Sequence, residues 1–202
     1  MKQIVFFSIL ILFSTSVFSQ EENSDSDDSL GLSGYLCPFF ETTSMVKQCN
    51  YFGGVGGIFV TPNIIVGGFG KAMLSYFKVD SASFERDNVT NKEYDLELDF
   101  GGGGLVLGYR FMPTKKIRPI IMLWAGGGSI SLSDKTRTRI KELYDDFFIF
   151  NGTVEIDYQP LKFLSVGIGA HYQIVSGLKL DGYKKDDFNG GGLFVNIKLG
   201  SF

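Results

Sequence analysis

His171 is the sole histidine of this 202-residue chain. It lies in a stretch of alternating side chains and shares its inward parity with Glu155 and Asp157 on the preceding strand-like segment. A histidine close to carboxylates can move protons in general acid–base chemistry, as an acyl hydrolase would require. The commoner outcome is a buried histidine satisfied by its neighbours, and on that reading no catalytic, cofactor-binding or metal residue is assigned.

Two other groups could carry chemistry. Cys37 and Cys49 are the only cysteines, and they flank a predicted hairpin connection centred near Val46. Bridging requires Cα atoms within about 7 Å, so a Cys37–Cys49 disulfide and two separate thiols both stay open. The glycine clusters invite a phosphate-cradle reading. Gly70-Lys71 lacks the upstream glycine and following Ser/Thr of a P-loop, and the Gly53 to Gly57 run fits neither that motif nor a dinucleotide fingerprint. Glycine runs recur instead at 53–54, 67–68, 101–104, 126–128 and 190–192, as a narrow, strongly curved barrel needs where its interior crowds.

The elements that would position these residues begin after an export signal. Lys2 supplies a positive start, Ile4 to Phe13 an apolar stretch, and Val17-Phe18-Ser19 before Gln20 a cleavage site, so residues 1–19 read as a signal peptide. Residues 20–33 read as an acidic, disordered leader carrying Glu21, Glu22, Asp25, Asp27 and Asp28. Setting aside Lys2 and those five acids leaves 18 basic residues (19 − 1) against 17 acidic ones (22 − 5). A nearly neutral remainder without a basic stripe argues against nucleic acid as a partner.

Residues 34–202 read as one domain. Tyr51 to Gly70 is free of charge, but seven glycines and the turn pair Pro62-Asn63 break a helical span there. Strands are predicted near 34–43, 51–61, 64–77, 96–112, 118–133, 147–158, 164–175 and 190–202. Connections 44–50, 78–95, 134–146 and 176–189 are polar and mostly long, whereas Pro62-Asn63, 113–117 and 159–163 are short. Short turns at one end and long loops at the other mark an antiparallel up-and-down transmembrane β-barrel of eight strands. The period-two alternation agrees. Leu193, Val195, Ile197 and Leu199 face out against Asn196 and Lys198, and Val154, Ile156 and Tyr158 against Glu155 and Asp157. By the same parity Lys71, Arg110, Glu155, Asp157, His171 and Lys198 form a lumen charge network. Tyr109, Phe111 and Tyr158 would make an aromatic girdle beside the short turns. Phe202 falls out of phase with Leu199.

Gly53-Gly54-Val55-Gly56-Gly57, Ile65-Val66-Gly67-Gly68-Phe69-Gly70, Leu107-Gly108-Tyr109, Ala125-Gly126-Gly127-Gly128, Tyr172-Gln173-Ile174-Val175-Ser176-Gly177 and Lys198-Leu199-Gly200-Ser201-Phe202 resemble the small eight-stranded outer-membrane β-barrels of Gram-negative bacteria, of the OmpX and OmpA membrane-domain type. The resemblance implies an outer-membrane location, lipid as the surrounding partner and a side-chain-filled lumen. It covers architecture and supplies no activity. Some barrels of this size act on lipid A, but the serine two residues after the histidine in the deacylase type is Gln173 here. Eight strands enclose room for side chains or one small ligand, which disfavours a general pore. The reading adopted is a structural or surface-interaction protein. Its outer loops, with Phe84-Glu85-Arg86 and Tyr144-Asp145-Asp146, would meet extracellular protein or glycan.

Overall fold

Alternation of apolar and polar or small residues at period two cannot form an amphipathic helix, and in the computed structural model it forms strands throughout. The structure describes residues 33–44, 48–74, 78–79, 96–134, 143–178 and 185–202. The expected signal peptide, the acidic leader as far as residue 32, the Phe84-Glu85-Arg86 loop and the supposed loop centre Val46 lie outside the described residues, whereas Ser33, expected to end the leader, opens β1. The strands are β1 (Ser33–Ser44), β2 (Gln48–Phe59), β3 (Ile64–Met73), β4 (Leu96–Arg110), β5 (Ile117–Asp134), β6 (Leu143–Leu161), β7 (Leu164–Ser176) and β8 (Gly190–Gly200). A two-residue rung, Lys78–Val79, extends the β3–β4 hairpin by pairing with Glu97 and Leu96.

Every strand pairs antiparallel with its sequence neighbour, and β8 returns to β1 through pairs such as Leu36↔Leu199 and Phe40↔Val195. The sheet is thereby closed, with no open edge around the ring. Connections 60–63, 111–116 and 162–163 gather at one end, here the turn end, together with the start of β1 and the end of β8. The other four connections gather at the loop end.

Two expectations about length are corrected. The first connection is not long: Ser44 pairs with Gln48, leaving three residues, 45–47, between β1 and β2. The loop expected over 134–146 is shorter too, because β5 and β6 stay paired out to Leu132↔Leu143. Polar residues such as Asp145 and Asp146 had marked that stretch as loop. A strand that has passed beyond a membrane boundary no longer needs an apolar outer face, so polarity there does not end it.

Outward positions form an apolar band around the whole ring. It includes Phe52 on β2, Leu105 and Leu107 on β4, Leu123 on β5, Ile156 on β6, Ile168 on β7 and Val195 on β8, all exposed. The girdle residues Tyr109, Phe111 and Tyr158 are exposed beside the short turns as expected. Inward positions are filled. Phe39 and Phe69 pack on Trp124 with ring centroids 5.4 and 4.9 Å apart, and Phe100 stacks on Phe147 at 4.5 Å.

Large rings fit because glycines face them. A Cβ on Gly53 would strike the Phe39 ring, one on Gly128 the Phe147 ring, and one on Gly169 the Phe194 ring. This pairing of glycine with aromatic residues fills a tapering interior without forcing the wall outward. Phe202 resolves its phase problem by leaving the sheet. The strand ends at Gly200, and the Phe202 ring turns in over Tyr35 (6.3 Å) and Phe59 (6.2 Å), closing the turn end.

Candidate functional site

All six residues expected in the lumen are buried there: Lys71, Arg110, Glu155, Asp157, His171 and Lys198. They do not make one network. Order along the strands separates them into two charge clusters with an aromatic layer between. Ascending β1 from the turn end come Tyr35, Cys37, Phe39 and Glu41, and descending β8 come Gly192, Phe194, Asn196 and Lys198.

The turn-end cluster is built from β5, β6, β7 and β8. Arg118 donates to Asp157 Oδ2 through Nε (3.1 Å) and Nη2 (2.5 Å), while Lys198 Nζ donates to Asp157 Oδ1 (2.9 Å) and to Glu155. The hydroxyl of Ser165 also donates to Asp157 Oδ1. Two carboxylates thus meet two cations, and Asp157 touches three donors. Glycine makes the arrangement possible: a Cβ on Gly167 would land on the Glu155 carboxylate and the Asn196 amide oxygen.

The loop-end cluster is sparser. Lys71 Nζ donates to Glu41 Oε1 and to Gln173 Oε1, each at 2.7 Å. His171 Nε2 lies 3.4 Å from the same Glu41 oxygen. The expected neighbours of His171 are therefore corrected. In register His171 sits opposite Thr153, whereas Glu155 and Asp157 face Gly169 and Gly167 and reach toward Lys198. The carboxylate that His171 meets comes from β1, reached over Gly192 of the intervening strand β8.

Arg110 belongs to neither ion-pair set. Its guanidinium donates to the Pro62 carbonyl from Nε (3.0 Å) and Nη2 (2.7 Å) and lies 3.9 Å over the Phe59 ring. It ties the β2–β3 turn to β4. Cys37 and Cys49 are buried and are not bridged to each other. Cys49 pairs with Thr43 and Cys37 with Val55, so the two lie 43 − 37 = 6 residues apart along β1, about 20 Å at strand rise.

The expected network leaves out Glu41, Arg118, Ser165 and Gln173, although Ser165 and Gln173 share the inward parity of His171. Glu41 and Gln173 have the inward parity of their strands and could have been found by it. Arg118 opens the predicted strand 118–133 beside Pro119, and its inward parity goes unread at that strand end.

These geometries leave little room for substrate. The gap lined by Tyr35, Cys37, Phe39, Val55, Met122, Trp124, Phe194, Asn196 and Lys198 holds about one water molecule. His171 faces this packed interior, away from the lipid side, and the residue two positions on, Gln173, is engaged by Lys71.

The class of fold is that of the small eight-stranded outer-membrane β-barrels. The chain is similar to Neisserial surface protein A (10% identity, 87% of this chain and 100% of that chain, TM-score 0.57). It is similar also to the N-terminal β-barrel domain of Pseudomonas aeruginosa OprF (12%, 83% and 96%, 0.52). A third is Ail of Yersinia pestis in complex with the heparin analogue sucrose octasulfate (11%, 85% and 98%, 0.51). No protein-family model and no curated protein sequence matches the chain.

Proposed function

We propose that this protein is an integral barrel of the outer membrane of a Gram-negative bacterium, exported by residues 1–19 and matured near Gln20. The observation that carries this is the outer wall: a ring of exposed Leu, Ile, Val and Phe, with charge, among the described residues, confined to the lumen and the two ends. Soluble monomers rarely expose an apolar patch larger than a few hundred Å², whereas a band of this kind is what lipid requires. The role that fits is structural, with surface interaction through the connections at the loop end. Extracellular protein or glycan would be met there by the 80–95 connection and by Tyr144-Asp145-Asp146 at the start of β6. The lumen clusters serve to hold the wall together and to set strand register.

The test is fractionation of expressing cells together with gel mobility before and after heating. The folded barrel should be recovered with outer membranes and shift its mobility on boiling, since a closed sheet resists detergent. Recovery as a soluble periplasmic protein with helical circular dichroism would reject the reading. Surface interaction is tested separately by cell-adhesion assays with the 80–95 connection shortened. Adhesion that is present in the wild type and lost in that variant supports the role, and equal adhesion in both removes it.

A further inference from the structure

The turn end carries a charge pattern that the lumen does not explain. Lys115 and Lys116 on the β4–β5 turn and Lys162 on the β6–β7 turn are exposed, and among the described residues no acidic side chain is exposed at that end. The two turns are neighbours because β5 and β6 pair, with Ile117 opposite Tyr158. A register shift between Tyr158 and Leu161 places Gln159 between them. Its backbone N–H donates to the Lys116 carbonyl (2.8 Å) and its side-chain amide donates to the Lys162 carbonyl (3.1 Å). The amide oxygen is held in turn by Arg118 Nη1 at 2.7 Å. The three lysines are thus mounted on a braced frame, anchored through Arg118 to the buried Asp157.

Directly beside them on the outer wall stand Tyr158, Phe163, Phe111 and Ile117, all exposed. Aromatic side chains of this kind sit at the level of lipid headgroups and glycerol. Cations one step further out then lie at the depth of phosphate.

We propose that this braced lysine face is a binding surface for anionic phospholipid in the leaflet facing the short turns, with Lys115, Lys116 and Lys162 meeting headgroup phosphate. Charge complementarity selects the occupant: an ammonium near an anionic membrane surface is attracted within a Debye length, and the aromatic residues beside it are suited to the adjoining glycerol and acyl region. The proposal rests on the reading of the chain as a membrane barrel.

The mature chain is folded into phosphatidylcholine vesicles, and its relative association with spin-labelled phosphatidylglycerol and phosphatidylcholine is measured by electron paramagnetic resonance. Wild type should favour phosphatidylglycerol by about threefold at low salt and less at high salt. The triple variant Lys115→Gln/Lys116→Gln/Lys162→Gln should insert equally well and lose the preference. Gln159→Ala, which leaves all three charges in place, should reduce it in part. An inserted wild-type barrel with no preference, or a preference unchanged in the triple variant, overturns the proposal. So does a preference that emerges only when residues 20–32 are removed, since that would assign the lysines to the acidic leader. Failure of the wild type to insert at all would instead overturn the membrane-barrel reading.

Discussion

The two charge clusters of the lumen differ in how many charges they join and how those charges share partners. At the turn end Asp157 receives Arg118, Lys198 and Ser165, and Lys198 also reaches Glu155, so each charge has a counter-charge and the set closes on itself. At the loop end one cation, Lys71, and one carboxylate, Glu41, are joined by the amide of Gln173 and by His171. Removing one group therefore costs different amounts in the two places. A buried charge left without a partner is expensive, whereas a pair removed together is nearly neutral when its volume is refilled. The dense cluster sits next to the short turns and the end of β8. The sparse one sits where the strands run on toward the loops.

The contrast is broken most severely by Asp157→Asn, which leaves Arg118 and Lys198 facing a neutral amide. Stability should fall by about 3–5 kcal/mol, read from urea unfolding of the barrel in lipid vesicles. Glu41→Gln should cost less, about 2 kcal/mol, because Lys71 keeps Gln173 as a charge-assisted acceptor. The double variant Lys71→Met/Glu41→Leu should recover most of that loss. The corresponding double at the turn end, Lys198→Met/Asp157→Leu, should recover little of the Asp157 loss, since it leaves both Arg118 and Glu155 without a counter-charge. Equal recovery at both ends would show that the clusters do not differ as described.

Gly167→Ala probes the same difference through packing. Its new methyl group would collide with the Glu155 carboxylate and should destabilise by about 1–3 kcal/mol. Gly152→Ala, at a position where a Cβ meets nothing within 4 Å, should leave the unfolding midpoint close to wild type. A small effect is also expected for His171→Asn, which loses one weak contact with Glu41, at about 1 kcal/mol or less. Lipid A mass spectra from cells expressing this variant and the wild type should coincide. Acyl-chain changes produced by the wild type alone would assign His171 a catalytic role.

Much of the wall was legible because a barrel strand repeats every two residues and charge cannot face lipid. That logic placed Lys71, Arg110 and Lys198 inside without any knowledge of contacts. It could not say which inward charges meet, because partners across a lumen come from strands far apart in sequence. Glu41 and His171 are separated by most of the chain, and their meeting depends on closure of β8 on β1. Adjacent-strand reasoning therefore assigned His171 to Glu155 and Asp157. Phe202 read as out of phase for a related reason: parity applies only while the chain remains in the sheet, and it leaves at Gly200. The turn-end lysines were visible as residues, but their bracing by Gln159 depends on a register shift that no periodicity reveals.

The central claim is that the wall has an apolar face turned to lipid and a packed face turned to the lumen, and the single tryptophan tests it most directly. Trp124 is 4% exposed and faces inward, while its neighbour Leu123 is 67% exposed and faces out. With the protein folded into vesicles of brominated lipid, fluorescence of the native Trp124 should be quenched weakly. The variant Trp124→Phe/Leu123→Trp moves the indole by one residue to the other face and should be quenched strongly. Equal quenching of the two, or stronger quenching of Trp124, would contradict the barrel's inside and outside.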